Sequence, residues 1–439
     1  MASVIKIYAL FLGSALLMFG GGLQGLLLSV RGAEEGFSLI ALGLIGTGWS
    51  VGFVAGSLFV PFIVRKAGHI RAFSVMAAIG TITILLNLLL INDVSWIILR
   101  ALSGFCFAGA AMIVESWLNE VSDNKNRGTI FSIYTTINMS ASTLGQLAMS
   151  LTGTAGYIPF VVGAISFICA VLPTALTSSP QPRPLTSAKL DLKLLIKTSP
   201  VAAVAALCCG MTNGAFGTMA PVYGYAQGMD AGGIALLFAM AAIAGAVGQI
   251  PFGRLSDRID RRQVMIGLGA FAAVIGLVIV ILNPGPGWFI YALFALYGLA
   301  ANPLYPIAVA HANDFARDGQ FAKVAGGMLL IYGVGLAAGP TLASVLMGSI
   351  APMALFIVTA IFHALVTAFA FLRMRARKSV DAADRAPFQP MGPETPETVA
   401  LDPRADSDVV DAASEHERGV PEELIETLGG DGDVQNGKV

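Results

Sequence analysis

Two charges inside one apolar run are the first residues with chemistry to offer. Arg100 and Glu115 are the only formal charges in the stretch 95–119. On a helix, fifteen residues at ~100° each bring them within about 60° of one face, ~22 Å apart along the axis. They cannot pair directly at that separation. Gly104, Ala108 and Ala111 lie between them on that face and leave room for a ligand or a neighbouring helix. A carboxyl at low dielectric holds its proton to higher pH than in water, as a proton carrier requires. The plainer alternative is that Glu115 reaches the interface or pairs with a loop cation such as Arg127. Arg100 has three readings: it snorkels outward, contacts an anionic substrate, or braces helix ends around a cavity.

Other apolar runs carry isolated polar groups. The run 288–312 contains Asn302, Tyr305 and His311, with Asn313 just beyond. Pro303 and Pro306 break the regular helix there and free backbone carbonyls, a device used at transport sites. His311 falls roughly opposite Asn302, so it is either a proton site or a packed helix-end histidine. Gln24, Asn119, Asn138, Gln146, Asn213 and Gln249 complete the polar set. Amides in such helices either recognise a ligand or bridge neighbouring helices. Gln24, Arg100, Glu115, Asn119, Asn138, Asn213, Asn302, Tyr305 and His311 are taken as cavity candidates.

A different chemistry is concentrated in Gly253–Arg262, where six of ten residues are charged between two apolar runs. That density cannot sit in hydrocarbon, so the stretch is expected to be a short aqueous turn. Gly253, Asp257, Arg258, Arg261 and Arg262 are its candidate functional residues. An acid beside two arginines forms charge-assisted hydrogen bonds and can cap a helix start. The plainer alternative is a basic anchor at the membrane surface.

The elements that must position these groups are membrane helices. The 439-residue chain is 56% hydrophobic and 12% charged, about half the charged content of a soluble domain. Apolar runs long enough to span a bilayer recur at 4–30, 38–60, 72–91, 95–119, 129–152, 158–177, 199–226, 233–252, 263–282, 288–312, 323–348 and 352–372. The expected fold is therefore all-α and integral to the membrane, with twelve transmembrane helices. The first run is too long for a signal-peptide core and lacks a small-residue cleavage site. Residues 1–177 form one six-helix half and 199–372 the other, joined by a linker at 178–198 and followed by an acidic tail at 373–439.

A repeat supports the two halves as pseudo-symmetric copies. Arg65-Lys66 follows the second run as Asp257-Arg258 follows the eighth, and Phe131–Tyr134 opens the fifth as Leu329–Tyr332 opens the eleventh. Two halves that rock about a midplane site are what alternating access needs.

Placing the N-terminus inside puts 24 of the 26 Lys and Arg on the inner face, leaving Arg31 and Arg100 elsewhere. Both termini are then cytoplasmic, in a plasma or inner membrane. The segment 379–439 holds 15 acids against four cations, with six prolines. It cannot bury enough apolar surface to fold alone and is expected to be disordered and passive, apart from a transient helix over 421–428. The four cysteines show no metal or disulfide spacing and read as packing residues.

The pattern Gly253-x-Leu-Ser-Asp257-Arg258-x-x-Arg261-Arg262 resembles the loop signature of the major facilitator superfamily. Arg100-x-x-x-Gly104 resembles its Arg-Gly signature, and Gly335-x-x-x-Gly339-Pro340 the Gly-Pro signature of antiporter-like members. Glu115–Asn119, Gly68–Arg71 and Pro303–Pro306 resemble the YcaD-like subgroup of carriers without an assigned substrate. The resemblance implies that Asp257 latches the inner face closed against the start of the fifth run near Thr129. In the N-terminal copy Pro61 stands for Gly and Arg65 for Asp, so the latch is expected in one half only.

The expected function is a secondary transporter of a small molecule, coupled to protons and directed towards export. Uptake or facilitative transport is the alternative within that class, and a membrane sensor or scaffold the alternative outside it. No hydrolase, metalloprotease or nucleotide-loop motif is present, so an enzyme is not expected. The expected partners are an unidentified small substrate, protons and membrane lipid, for a monomeric protein. Near-zero net charge argues against nucleic acid, and no cofactor or metal is expected.

Overall fold

The computed structural model describes residues 2–122, 126–175, 191–317, 320–376, 378–380, 385 and 388–391. Most of the linker, and the segment 421–428 of the tail, lie outside the described residues.

All regular structure among the described residues is helical. The helices are α1 (Ala2–Glu34), α2 (Leu39–Ala67), α3 (His69–Leu89), α4 (Asp93–Val121), α5 (Arg127–Thr152), α6 (Ile158–Cys169), α7 (Val171–Ala175), α8 (Leu192–Thr198), α9 (Pro200–Ala226), α10 (Ala231–Arg258), α11 (Arg261–Leu282), α12 (Trp288–Ala301), α13 (Leu304–Asp314), α14 (Phe321–Ser349) and α15 (Ala354–Ala376). Among the described residues, eleven stretches are long and apolar enough to cross a membrane. The remaining expected span, 129–152, coincides with α5, whose 26 residues include Thr129, Ser132, Thr135, Thr136, Asn138, Ser140, Ser142, Thr143 and Gln146. That polarity keeps it below the hydropathy of the others. Large apolar side chains point outwards all round the bundle, among them Leu12, Phe59, Ile98, Leu151, Ile243 and Ile281. This outside suits lipid rather than water.

The chain turns sharply because polar residues cap the helix starts. Ser38, Asn92, Ser199, Asp230 and Asp260 each accept a backbone N–H from the first turn they precede. The helices also run further than expected. α2 continues through Pro61 to Ala67, and Gly68 alone connects it to α3, with a positive φ of 83°. The expected aqueous turn at Gly253–Arg262 is likewise mostly helix. Gly253 to Arg258 are the last turns of α10, Ile259-Asp260 is the connection, and Arg261 and Arg262 begin α11. Charges can extend a helix past the hydrocarbon, so a charged stretch need not be a loop.

Two halves of the described helices repeat the same pairings. α1 packs on α5, α2 on α4 and α3 on α6; correspondingly, α9 packs on α14, α10 on α12 and α11 on α15. Glycine contacts give the register of the repeat. A Cβ on Gly104 would lie 2.1 Å from the Trp49 carbonyl oxygen, and one on Gly298 would lie 2.1 Å from that of Ala241. Gly145 against Phe19 recurs as Gly339 against Met211, and Gly56 against Phe105 as Gly248 against Leu299. The offset is 192 residues along α2 and α10, which matches Arg65 with Asp257. It is 194 along α5 and α14, so Tyr134 and Tyr332, 198 apart, are one helical turn out of register.

Gly48, Gly52 and Gly56 form a small-xxx-small stripe on α2 facing the Ile97, Ala101 and Phe105 carbonyls of α4. A Cβ on Gly52 would lie 1.8 Å from the Ala101 oxygen. Backbone cannot yield as a flexible side chain does, so Gly52→Ala is expected to cost about 1–3 kcal/mol. A lowered thermal-unfolding midpoint in detergent reads this out. Gly217→Ala, with nothing within 4 Å of the new methyl, should leave the midpoint level or slightly raised.

The two halves meet chiefly at α2 with α14 and at α5 with α10, and α9 also touches α1 and α2. Thr47 donates to the Ala337 carbonyl at 2.6 Å and Ser50 to that of Leu336 at 3.1 Å. Gly43 meets Ser344, Gly46 meets Thr218, and Gly232 meets Ser150. These contacts lie in the part of the bundle remote from Gly68 and Asp260.

Candidate functional site

In the N-terminal half, α4 and α5 bring Glu115 to Tyr134. The tyrosine hydroxyl donates to the carboxylate at 3.3 Å, and the pair is buried, Glu115 being 9% exposed and Tyr134 fully enclosed. Asn138, one turn along α5, accepts from Ser14 of α1 at 2.8 Å. Gln24 of α1 accepts from Ser103 of α4 at 3.0 Å. The Nε2 of Gln24 and the Nδ2 of Asn138 are buried donors with no hydrogen-bond partner among the described residues. Arg100 lies over the Trp49 ring, 5.7 Å from its centroid, and joins α4 to α2. Asn119 is exposed near the end of α4, one turn beyond Glu115, and is not gathered with the buried group.

In the C-terminal half, Asn213 of α9 donates to the Tyr332 hydroxyl of α14 at 3.0 Å, and the Tyr332 ring packs 4.3 Å from that of Tyr305. The Tyr305 hydroxyl is buried without a hydrogen-bond partner among the described residues. The break expected at the proline pair lies at Asn302-Pro303, between α12 and α13, and it swings Tyr305 onto α14. Asn302 goes elsewhere. It packs on Gly245 and points its amide at the Ala241 carbonyl of α10, 3.5 Å away, so it bridges helices. His311 is buried near the end of α13 with its ring edge-on to Phe315 at 5.0 Å. It stands apart from Asn213, Tyr305 and Tyr332.

The charged stretch forms a third group. Arg261 is 1% exposed. It donates to Asp314 at 2.7 Å, to Ser256 at 3.0 Å and to Asp257 at 3.0 Å. Asp260 caps α11 and binds the Arg262 guanidinium at 2.6 Å, while Arg262 also donates to the Arg373 carbonyl. Burial pushes the Asp260 carboxyl up, but the hydrogen bonds and charge of Arg262 outweigh it and hold the group below the usual carboxylate range. Asp257 does not meet Thr129 here. Its hydrogen bonds run to Arg261 and to the backbone N–H of Phe388. Gly253 is helical, so its lack of a side chain serves space and not backbone freedom: the Phe388 ring fills the place where a Cβ would stand. Gly335 and Gly339 lie against the Leu207 and Met211 carbonyls, and Pro340 against Gly214, which makes that signature a close contact of α14 with α9.

Several site residues escaped the sequence reading. Asp260 was visible as a helix cap before an apolar run. Ser14, Ser103, Tyr134, Tyr332 and Asp314 carried no local sign, because their partners are far away in the chain.

The model of the Major Facilitator Superfamily matches residues 10–233 and 202–401, together spanning both helical halves. The chain belongs to the major facilitator superfamily. It is an integral membrane protein and a transporter of that superfamily. An uncharacterized MFS-type transporter of Enterobacter sp. (strain 638) is 26% identical over 351 residues, covering 79% of this chain and 89% of its own. The uncharacterized MFS-type transporter YcaD of Salmonella newport (strain SL254) is 27% identical over 323 residues, covering 73% and 83%. These relatives bear out the YcaD-type resemblance. Among solved structures, a mutant of the nucleoside transporter NupG superposes with a TM-score of 0.70 at 14% identity, over 84% of this chain and 99% of that one. A bacterial homologue of the human lysosomal transporter Spinster, described as inward-facing and occupied, gives 0.69 at 15%, over 87% and 97%. At these identities the likeness is one of major facilitator fold. Two of the YcaD-type strings, Glu115–Asn119 and Gly68–Arg71, meet in space: Ser116 lies 3.5 Å from His69.

Proposed function

We propose that this transporter moves a small molecule by proton-coupled alternating access, in the direction of export, with both termini cytoplasmic. The observation that carries the reading is Glu115, a carboxyl enclosed within a membrane helix and hydrogen-bonded by Tyr134. Intramembrane acids are costly and rare, and exchanging a proton is the chemistry a carboxyl offers there. Arg100 on Trp49 braces α4 against α2, and the amides of Gln24, Asn138 and Asn213 with the tyrosines of α13 and α14 supply uncharged polar contacts. Such a lining suits a solute with few or no charges.

The contacts between halves at the end remote from Asp260 support a state open towards the basic end. In the opposite state Asp257 would engage the start of α5, as the loop signature implies, while Arg65 at the matching place in α2 repels a helix N-terminus. The protein works as a monomer in this reading, since each chain holds both halves.

The test is a panel of drug-like and small organic solutes presented to proteoliposomes of the purified protein, with a pH-sensitive dye inside. A transported solute is expected to move protons across the membrane, and an imposed pH gradient to drive its accumulation. Solute movement indifferent to the gradient would remove proton coupling. No movement of any solute would favour a sensor or scaffold.

A further inference from the structure

Part of the acidic tail, expected to be solvated, is docked. Phe388, Gln389, Pro390 and Met391 run along the basic end of α10 in the direction opposite to that helix. Gln249 and Met391 exchange two hydrogen bonds: the side-chain amide donates to the Met391 carbonyl at 2.9 Å, and the Met391 N–H donates back at 3.0 Å. Gln249 is 1% exposed and Met391 5%. One turn further, the Phe388 ring fills the space over Gly253. Another turn on, the Phe388 N–H is shared by both oxygens of Asp257, at 3.0 and 3.3 Å. Arg385 donates to the Ile259 carbonyl at the C-terminus of α10, where unpaired carbonyls and the helix dipole favour a cation.

Gln249, Gly253 and Asp257 are spaced by four and form one stripe of the helix. Each has a matching feature in the segment: a backbone amide pair for Gln249, an aromatic ring for Gly253 and a backbone donor for Asp257. A buried side-chain amide needs both of its partners, and here one residue supplies them. The stripe also faces the other half. Twenty-five residues at ~100° put Asp257 within about 20° of Gly232 around the helix, and Gly232 touches Ser150 of α5. The segment therefore stands where the basic end of α5 would approach α10.

We propose that the Gln249–Gly253–Asp257 stripe is a peptide-binding face whose occupant is the chain's own Arg385 and Phe388–Met391, and that this occupant wedges the basic end open. Closing that end requires Asp257 to exchange the Phe388 amide for another partner and the Phe388 ring to leave Gly253. The wedge thus sets how often the transporter can complete its cycle. This inference rests on the alternating-access reading, but its test needs no substrate.

Spin labels at Ser132 and Arg254, both exposed near the basic ends of α5 and α10, report the gap by pulsed electron resonance in lipid nanodiscs. Three chains are compared: full length, full length with Phe388→Ala, and a chain ending at Lys378. Full-length protein is expected to give one long distance. Phe388→Ala and the shortened chain should both gain a shorter-distance population, at least tenfold more abundant than in the full-length chain. A labelled synthetic peptide of residues 379–395 should bind the shortened chain saturably, restore the long distance, and lose at least tenfold in affinity on Gly253→Val. Identical distances in all three chains would overturn the wedge, and no saturable peptide binding would overturn the docking face. Failure of solute transport with these distances as expected would count against the transport reading alone.

Discussion

Replacing Glu115 with Gln abolishes the dependence of transport on a pH gradient while the protein still folds and exchanges substrate. The amide keeps the size of the carboxyl and still accepts the Tyr134 hydroxyl, which lies 3.3 Å from Glu115 Oε1. What it loses is the proton it could carry. Each pH unit of gradient is worth about 1.4 kcal/mol, or a tenfold accumulation for one proton per cycle. The variant should therefore fall from about tenfold accumulation per unit to equal concentrations on both sides. Equilibrium exchange of labelled for unlabelled solute should remain within severalfold of the parent rate. Tyr134→Phe removes the donor and keeps the carboxyl, so it should shift the pH at which coupling operates and leave coupling intact. Unchanged proton movement per solute in Glu115→Gln would take the role away from this residue.

The sequence shows Glu115 clearly and its setting hardly at all, which illustrates what is legible in this chain. Membrane helices write themselves into one-dimensional sequence, because every residue of a span answers to the same solvent. The spans, the halves and the 192-residue match of Arg65 with Asp257 follow from that. Helix ends are less visible: α2 passes through Pro61 and α10 through Gly253–Arg258, because outside the hydrocarbon nothing forces a helix to stop. Partners are the least visible. Tyr134 has no feature that tells it from a packing tyrosine until α4 and α5 are set side by side. Asn302 and Tyr305 share a face by periodicity, yet the break at Asn302-Pro303 sends one to α10 and the other to α14. The docking of Phe388 on Gly253 is legible only in three dimensions, since composition marks the surrounding segment as acidic and solvated.

The second large effect is expected at the buried ion pair beneath the gate. Arg261 and Asp314 are 1% and 3% exposed and bonded at 2.7 and 3.3 Å. Removing one partner of such a pair takes the paired charge away from a buried ion, at a cost of about 3–5 kcal/mol. Arg261→Met should therefore lower the thermal-unfolding midpoint more than Gly52→Ala does, and α13 should lose its hold on α11. Replacing both partners, Arg261→Met with Asp314→Leu, removes both charges of the pair and should return most of the midpoint. The double variant also releases Asp257 from Arg261 without touching the Phe388 amide. If Arg261 serves only to hold α11 to α13, the recovered protein should show the parent's distance between Ser132 and Arg254. If Arg261 also holds Asp257 towards Phe388, the double variant should be stable and yet populate the shorter distance. A double variant no more stable than Arg261→Met would show that the pair contributes through geometry that apolar side chains cannot replace.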